Sequence, residues 1–487
     1  MYLIDMIAYW ARIDPHRHAM IQPELITTYQ ALATAIESTT DRLEQLGLDR
    51  QEVVGVSVAN PSFLVVAVFA LLRSGYNVAL LRRALLPLVQ RAGIRNLIYD
   101  SQGLMLSGGR NIRFDPSWLS STGEKRSDRA YRKPPFESGD MIFFTSGTTG
   151  LPKKVIQSSA ALDQLLKYPL TCASGAGEKI LIMPGLSTTL GFNRVCEVLN
   201  AGKVAFFAAD SASAHSLIGQ HGVEVAITSA AQAASLVEFK NSNPGCRTDS
   251  LKTIFVGGGQ LEPEGIAGIR AALCRNAINQ YGSTEAGVAA LTPFNVLADK
   301  PGAIALPWTE LQIVDEAGEQ LPAGTEGLIR YRTPQLAENL KRAGPDGVPG
   351  VKNGWFYPGD IGTLTTDGLL RFVGRSSDVI NRGGVKVSGN RIEEIVRGMP
   401  QIKDAAACGI VGASGLEEIW IAVEAHGPVD IREIKDILRE HVDVGISPDE
   451  VFVLDELPRG ELGKVQKLRL KELLLGRKGA ALRHAHR

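Results

Sequence analysis

The chain has 487 residues, of which 44% are hydrophobic and 21% charged, and its 52 basic residues equal its 52 acidic residues. This is more residues than a single hydrophobic core usually accommodates, so we expect two or three domains. The balanced charge lacks the basic excess of a nucleic-acid-binding protein. The five cysteines form no CxxC pair, which argues against a zinc site or a disulfide framework and favours a reducing cytoplasm.

The N-terminal half predicts alternating strands and helices. Residues 28–50 carry apolar side chains at helical spacing, 52–58 alternate like a strand, 61–75 form a buried helix, and the next strand begins at Tyr76. The order is repeated by strands at 179–185, 202–208, 223–229 and 251–259, with helices near 192–200 and 213–220. This order predicts a parallel α/β sheet, whose ligands bind at the carboxyl ends of its strands.

From about residue 302 the pattern changes. Short strands and turn pairs in 309–334 predict a β-rich subdomain. Helices at 390–400 and 431–442, with strands near 405–411 and 419–425, predict a small α+β domain. The basic tail 476–487 is typical of a disordered end. No apolar run reaches the roughly 20 residues of a membrane span, and no signal pattern opens the chain, so we expect a soluble, cytoplasmic protein.

The segment FFTSGTTGLPKKV (143–155) follows an apolar strand with hydroxyls, glycines and two lysines. Such a loop can bind phosphate through backbone N–H groups, hydroxyls and charge, although a flexible surface loop has the same composition. It does not fit the GxxxxGK[ST] spacing, because Gly147 and Gly150 are too close and Pro152 stands where a helix would run. A standard nucleotide triphosphatase is therefore excluded.

Four further segments bear groups suited to a nucleotide site: NQYGSTEAG (279–287), GWFYPGDIG (354–362), GRSSDVINRGGVKVSGNRIEE (374–394) and LPRGELGKVQK (457–467). A Tyr at a strand end can stack on a base, and a Glu can hold Mg²⁺. An Asp in a tight turn can accept two ribose hydroxyls, although it can equally be an ordinary turn residue. Each segment alone is weak evidence for a nucleotide site.

In this order and at these separations the five motifs resemble the adenylate-forming superfamily, and most closely an AMP-forming acyl-CoA synthetase. The resemblance covers nearly the whole chain. It implies a large N-terminal adenylation domain of α/β sheets plus a β-rich subdomain (1–374), a hinge (375–378), and a small, mobile α+β C-terminal domain (379–487) carrying the catalytic lysine. It also implies ATP, Mg²⁺ and coenzyme A as cofactors, and a monomer or homodimer.

The resemblance assigns roles to individual residues. The catalytic residues would be Lys464, Glu285 and Thr145, with Glu285 also the metal ligand. The nucleotide would bind Thr145, Ser146, Gly147, Thr148, Thr149, Gly150, Lys153, Gly258, Tyr281, Gly282, Ser283, Thr284, Glu285, Asp360, Arg375 and Lys464. Ser377 would be the hinge residue, where many relatives have Asp or Lys, and Gly383 with Gly384 would meet the pantetheine thiol. Ser187 replaces the usual His of one pocket segment, and Lys154 a usual Gly.

The acid pocket is expected to be lined by small and apolar residues, namely Leu186, Phe192, Ser229, Gly257, Gly258, Gly259, Gly282 and Val288. No Asp around 183–196 is placed to hold an α-amine. This composition favours a carboxylic acid with an apolar tail over an amino acid. The three glycines leave room, which favours a fatty acid over an aryl acid, although they could simply form a tight turn.

Three functions stay open at this stage. The first is ATP-dependent formation of an acyl-AMP from a carboxylic acid, followed by thioester formation with coenzyme A. The second is a stand-alone adenylation enzyme that loads the phosphopantetheine of a carrier protein. The third is a catalytically decayed nucleotide or acyl binder, against which the presence of Lys464, Glu285 and Asp360 argues.

Overall fold

The computed structural model describes residues 2–81, 93–100, 105–119, 138–145, 153–167, 169, 177–259, 261, 263–293, 302–338, 340, 350–382, 385–412, 416–441, 448–460 and 463–485. Within them the α-helices are Tyr2–Ile13 (α1), Tyr29–Gln45 (α2), Pro61–Arg73 (α3), Ser159–Lys167 (α4), Thr189–Asn200 (α5), Ser211–His221 (α6), Ala230–Ser242 (α7), Pro263–Ala272 (α8), Gly389–Arg397 (α9), Ile431–His441 (α10) and Lys467–Ala485 (α11).

The first fourteen strands are His18–Gln22 (β1), Leu25–Thr28 (β2), Val53–Ser57 (β3), Asn77–Leu80 (β4), Asn96–Tyr99 (β5), Arg110–Arg113 (β6), Met141–Thr145 (β7), Lys153–Gln157 (β8), Lys179–Ile182 (β9), Val204–Phe207 (β10), Val225–Ser229 (β11), Thr253–Gly257 (β12), Asn276–Ser283 (β13) and Gly287–Pro293 (β14).

The remaining strands are Ile304–Ala305 (β15), Glu310–Val314 (β16), Gly327–Arg332 (β17), Val351–Lys352 (β18), Trp355–Phe356 (β19), Asp360–Leu364 (β20), Leu370–Arg375 (β21), Val379–Arg382 (β22), Val385–Ser388 (β23), Ile402–Val411 (β24), Glu417–Ala425 (β25) and Glu450–Leu454 (β26). Short 3₁₀ turns cover Pro116–Leu119 and Ser376–Asp378.

The chain forms two compact units. The first comprises 1–301, 306–309 and 332–354, and the second comprises 302–305, 310–331 and 355–487. The sequence-based boundary at 375–378 differs from this division and stays a prediction of its own.

One sheet of the first unit has the strand order β6-β5-β3-β4-β7-β8 and is parallel except for the β7–β8 hairpin. The predicted strand–helix–strand segment is confirmed as β3, α3 and β4. Helix α3 begins at Pro61 after the N-cap Asn60, whose side chain accepts from the Phe63 amide. Pro fits the first helical turn because its missing N–H has no partner to lose there. The helix is buried nearly all round, as its continuous apolar sequence requires.

A second sheet runs β14-β13-β12-β11-β9-β10-β1-β2, with parallel pairing from β1 through β13. One hydrophobic core lies between this sheet, the first sheet and the helices α1, α2, α3 and α5. Another lies on its opposite face under α6, α7 and α8. Helices on both faces of a mainly parallel sheet confirm the α/β prediction. Sequence reasoning missed α1, α4, α7, α8 and the antiparallel turn from β13 into β14.

The second unit combines an antiparallel sheet, β19-β17-β20-β21 with β16 beside β17, and a three-stranded sheet, β24-β25-β26. The latter packs against α9 and α10 on one face and α11 on the other. The predicted β-rich and α+β regions are thus both present. Residues 476–485 of the tail continue helix α11, contrary to the expectation of a disordered end. Helix α11 is anchored before the tail by Leu470 and Leu474, which are fully buried.

Among the described residues, no helix combines the length and apolar character needed to cross a membrane.

Candidate active site

The carboxyl ends of β11 and β12 and the neighbouring part of β13 form one edge of the second sheet. Ser229, Gly257 and Gln280 lie side by side across these strands in register. Beyond this row the chain turns at Gly258, whose φ of 77° suits only glycine readily. With its nitrogen facing the turn, the Asn279 amide donates to the carbonyls of Val256 (3.1 Å) and Gly259 (3.0 Å). This side chain therefore fixes the glycine turn.

The predicted Ser283–Glu285 segment forms the turn between β13 and β14. The Ser283 hydroxyl accepts from the Ala286 amide at 3.2 Å. The Thr284 hydroxyl lies 3.4 Å from the hydroxyl of Thr189, the first residue of α5. Thr284 is therefore beside a helix N-terminus, where free N–H groups favour an anion. The carbonyl of Glu285 accepts from the Ala337 amide at 2.7 Å, which fixes the turn from its other side.

The predicted phosphate loop joins β7 to β8. Thr145 pairs with Lys153 across this antiparallel hairpin, and Lys153 is exposed. The strand that leads away from the loop confirms that no helix follows it, as the sequence indicated. Residues 146–150 and the side chain of Thr145 lie outside the described residues, so their assignment stays a prediction.

The predicted acid pocket stays a prediction, and several of its residues have other contacts in the structure. Leu186 and Phe192 belong to the hydrophobic core, where Phe192 packs against Phe69 and Phe143. The Ser229 hydroxyl is buried and caps α7 by accepting from the Gln232 amide.

The space that the sequence predicts beside Gly257, Gly258 and Gly259 is partly filled by a side chain. A Cβ at Gly257 would lie 3.0 Å from the Leu190 side chain, whereas one at Gly259 would lie 3.5 Å from Ala230, its nearest neighbour among the described residues. Gly282 is exposed and Val288 is half-buried. The Leu190 side chain therefore occupies part of the space beside Gly257.

In the second unit the structure brings together three predicted nucleotide residues. Asp360 and Arg375 face each other across β20 and β21, and the Arg375 Nε lies 3.2 Å from the Asp360 Oδ1. Asp360 is buried, whereas Arg375 is exposed over nearly half of its side chain. The Lys464 amine is close enough to both to feel their charges. One buried carboxylate and two cations thus form a site suited to an anionic ligand with hydroxyl groups.

Lys464 is held on a tight turn between Arg459 and Val465, which form an antiparallel bridge. The Gly460 amide donates to the Lys464 carbonyl at 2.7 Å, and Gly463 turns the chain with a φ of 78°. Arg459 fixes this turn by donating to the Gly463 carbonyl (3.1 Å) and by pairing with Asp404 (2.6 Å) and Glu424 (3.3 Å). The turn is therefore tied to the sheet of β24 and β25.

The electrostatic environment lowers the pKa of Lys464. The largest cause is desolvation of the amine, and the Arg375 guanidinium adds to it, while Asp360 and Asp378 act in the opposite direction. The residue as a whole is nevertheless exposed. A lysine in this setting gives up its proton at a lower pH than an ordinary lysine does.

The predicted hinge is the 3₁₀ turn Ser376–Asp378. The Ser377 hydroxyl lies 3.3 Å from the Asp378 carboxylate, whose other oxygen pairs with Lys467 at 2.9 Å. Lys467 also pairs with the buried Glu393 at 2.8 Å. Asp378 is therefore tied to α9 and α11 through Lys467, immediately after Ser377. Gly383 and Gly384 lie outside the described residues.

Among the described side chains, no three His, Cys, Asp or Glu converge as a metal-ligand group. The assignment of Glu285 as the ligand stays a prediction.

Sequence reasoning missed several residues that shape these sites: Leu190, Gln280, Arg459 and Lys467. Gln280 stands inside a quoted motif, and a large polar residue two positions before Gly282 could have drawn attention as part of the sheet edge. Arg459 lies in the Lys464 motif, but its partners Asp404 and Glu424 are far away in sequence. No sequence signal marks the contact of Leu190 with Gly257.

Comparisons with known proteins agree with this architecture. The sequence profile of the AMP-binding enzyme family matches residues 7–339. A salicylyl-CoA synthase/salicylate adenylyltransferase of a Streptomyces species is 24% identical, over 96% of this chain and 93% of its own length. A salicyl-AMP ligase/salicyl-S-ArCP synthetase of Mycobacterium tuberculosis is 30% identical over 69% of this chain and 61% of its own length.

A solved structure with a similar fold is the o-succinylbenzoate CoA synthetase of Bacillus subtilis in complex with its acyl-adenylate intermediate. Its TM-score is 0.81 at 22% identity, and the match covers 96% of this chain and 97% of that one. Fold and sequence matches together define an adenylate-forming enzyme, an acid–thiol ligase of the AMP-forming class. The chain belongs to the AMP-binding enzyme family.

Proposed function

We propose that the protein activates an aryl carboxylic acid with ATP and transfers the acyl group to the thiol of coenzyme A. The observation that carries the adenylation step is the grouping of Asp360, Arg375 and Lys464 in the second unit. The aryl class is supported by the relatives, which are named for salicylate. The fatty acid favoured by the sequence has no such support.

In the first step a carboxylate oxygen forms a bond to the α-phosphorus of ATP, and the bond from that phosphorus to the bridging oxygen of pyrophosphate breaks. Pyrophosphate leaves with the electron pair, and no proton need move. The reaction brings two anions together, so positive charge must offset their repulsion. Lys464 would supply this charge between the acid and the α-phosphate.

The other side chains would hold the nucleotide. The Asp360 carboxylate would accept hydrogen bonds from the ribose hydroxyls, and Arg375 would hold that carboxylate in place through their ion pair. Tyr281 would stack on the adenine, and Thr284 would donate to phosphate beside the N-terminus of α5. Glu285 would hold Mg²⁺, which when bound neutralises phosphate charge.

In the second step the thiol sulfur attacks the acyl carbon, the carbon–oxygen bond to AMP breaks, and the thiol proton is released. Lys464 has no part in this attack and would have to leave the acyl-AMP accessible. Its position on a separate turn, linked to β21 through Ser376–Asp378, suits such a withdrawal.

The test is acid-dependent exchange of pyrophosphate into ATP, with benzoate, its hydroxy derivatives and octanoate as acids. We expect exchange with aryl acids and little with octanoate. The matched variant Asp360→Asn keeps the side chain's size but removes its charge, and should lose most exchange. No exchange with any acid would refute adenylation, whereas exchange only with octanoate would refute the aryl class.

A second acceptor is favoured by one of the relatives, whose name includes transfer to a carrier protein. Measuring thioester formation with coenzyme A, and separately with a phosphopantetheinylated aryl carrier protein, distinguishes the two. Product with coenzyme A alone supports the function proposed above. If product forms only with the carrier protein, the carrier protein replaces coenzyme A as the proposed acceptor, and the proposed adenylation step is unaffected.

A further inference from the structure

The side chain of Gln335 is buried without a hydrogen bond of its own. It is 6% exposed, and neither its amide oxygen nor its amide nitrogen has a partner among the described residues. A buried amide that loses water without gaining a partner is costly, so each such group in a native structure calls for an explanation. Gln335 begins a short segment of the first unit, residues 335–338, which follows β17 and which we call the strap.

The strap contacts the turn between β13 and β14 at two points. The Ala337 amide donates to the carbonyl of Glu285 at 2.7 Å. The Gln335 side chain lies so close to Gly287 that a Cβ on this glycine would collide with the amide oxygen. Gly287 also has a φ of 69°, which glycine adopts readily. The glycine therefore leaves space for the Gln335 amide directly beside the turn that carries Thr284 and Glu285.

The other end of the strap contacts the segment that leads away from the predicted phosphate loop. Ser158 is buried directly after β8, and its hydroxyl donates to Glu338 Oε2 at 3.4 Å. The same hydroxyl accepts from the Ala161 amide at 3.1 Å at the start of α4. The strap thus joins the two elements of the first unit to which the nucleotide phosphates are assigned, the β7–β8 hairpin and the turn between β13 and β14.

We infer that Gln335 is a positioning residue for ATP, whose amide holds the Thr284–Glu285 turn in the orientation that receives the phosphates. An amide has both a donor and an acceptor, and the turn offers backbone groups, a hydroxyl and a carboxylate as partners. Because the amide has no partner among the described residues of the free protein, a hydrogen bond that forms only with ATP bound strengthens binding. This inference rests on the proposed nucleotide-binding role of Thr284 and Glu285, and goes beyond it by naming a residue that acts through them.

The first measurement is the Kd of ATP, by calorimetric titration with MgCl₂ present and no acid. Gln335→Met keeps the length of the side chain and removes both hydrogen-bonding groups. Its Kd should be roughly threefold to tenfold higher, as expected for the loss of one hydrogen bond. In pyrophosphate exchange the KM for ATP should rise by the same factor, while the KM for the acid and thioester formation from supplied acyl-AMP stay unchanged.

His215→Phe is the control for the loss of a buried polar group elsewhere in the first unit. His215 is 2% exposed, and its Nε2 also lacks a partner among the described residues, but it lies on α6 against the Phe239 ring of α7. This substitution should leave the Kd of ATP unchanged, whatever it does to stability. An unchanged Kd in Gln335→Met, or a Kd that rises equally in both variants, would overturn the inference.

Stability of the free protein separates positioning from a structural role. Gln335→Met replaces an unpaired amide by an apolar side chain of the same length, so the midpoint temperature of unfolding without ATP should rise or stay the same. A lower midpoint would mean that the amide stabilises the fold without ATP and would overturn the inference. Equal losses for ATP, acid and thioester formation would overturn it as well, while leaving the proposed function standing. A natural protein that binds no ATP would instead refute the proposed function, and the inference with it.

Discussion

Replacing Lys464 by alanine tests the assignment on which the mechanism depends most. The variant removes one positive charge beside Asp360 and Arg375 and should leave the turn intact, because the turn is held by Arg459 and by backbone bonds. Since the side chain is partly exposed, its removal should cost little stability.

The size of the effect follows from the charge that is lost. Two unit charges about 4 Å apart interact with about 4 kcal/mol at the effective dielectric constant of a partly exposed site. Exposure reduces this, so about 3 kcal/mol is a reasonable loss of transition-state stabilisation. At 1.36 kcal/mol per tenfold, the adenylation rate should fall by about 10².

The assay measures the two half-reactions separately, as pyrophosphate exchange and as thioester formation from supplied acyl-AMP. Exchange should fall about a hundredfold and thioester formation should stay near its original rate. Lys435→Ala, on α10 in the same unit, is the control and should change neither. An equal loss in both half-reactions, or an unchanged exchange rate, would refute the role given to Lys464.

The pH dependence adds an independent check on the same residue. Desolvation and the Arg375 charge lower the pKa of Lys464, so its protonated form is lost at a lower pH than in an ordinary lysine. Exchange should therefore decline on the alkaline side at a correspondingly lower pH. Arg375→Gln removes the second of these causes and should move that decline to higher pH, whatever it does to the rate.

Three further predictions concern the residues that support the sites. Arg459→Met should lower exchange about tenfold and destabilise the protein by about 2 kcal/mol, because it loosens the Lys464 turn and removes one ion-pair partner from each of Asp404 and Glu424; kinetics and urea unfolding measure both. Gly287→Ala should destabilise it by about 2–4 kcal/mol, because φ is 69° and the new Cβ would collide with the Gln335 side chain; calorimetry measures this. Glu424→Gln should flatten the loss of stability at acid pH, measured by denaturant unfolding across pH 3–7.

The sign of the Glu424 prediction follows from its contacts. Burial alone would raise the pKa of this carboxyl, but Lys403, the Leu457 amide and Arg459 together outweigh burial and hold the pKa below its ordinary value. Its contribution to stability is therefore present above the ordinary glutamate pKa and is lost as pH falls through the lowered one. If the free energy of unfolding of Glu424→Gln fell at acid pH as steeply as that of the original protein, this reasoning would be contradicted.

For Arg459 and Gly287 the contrary outcomes are equally specific. If the Arg459→Met protein were less stable but exchanged pyrophosphate at the normal rate, the ion pairs of Arg459 would stabilise the protein without positioning Lys464. A Gly287→Ala protein as stable as the original would mean that the Gln335 side chain moves aside and that the backbone tolerates a positive φ there.

Local patterns were enough to predict the sheets and the order of the motifs. Helix α3 and strand β4 follow from an apolar run that ends at a glycine. Asp360 and Lys464 were assigned from the resemblance of five ordered motifs to a family, since each motif alone is weak evidence. These features depend on residues close together in the sequence, where hydrophobic periodicity and turn chemistry are informative.

The acid site stays a prediction, and its shape depends on contacts between distant segments that the sequence alone does not show. Phe192 and Leu186 have the apolar character of pocket residues, but packing places them in the core between the sheets. Leu190 fills the space over Gly257 only because the start of α5 lies across the end of β12. Periodicity cannot distinguish a core side chain from one that lines a cavity on the same face.

The attachment of the Lys464 turn limits how this lysine can be withdrawn. Arg459 joins the turn to Asp404 on β24 and Glu424 on β25, and its neighbour Lys467 joins α11 to Asp378 and Glu393. A loop that flexed alone would have to break these ion pairs at every turnover. Rotation at the predicted hinge, Ser376–Ser377, would keep all of them. If that prediction holds, Lys464 moves together with the sheet and helices to which its turn is tied, and the backbone torsions of two serines, rather than the flexibility of the Lys464 loop, would set the rate of its withdrawal.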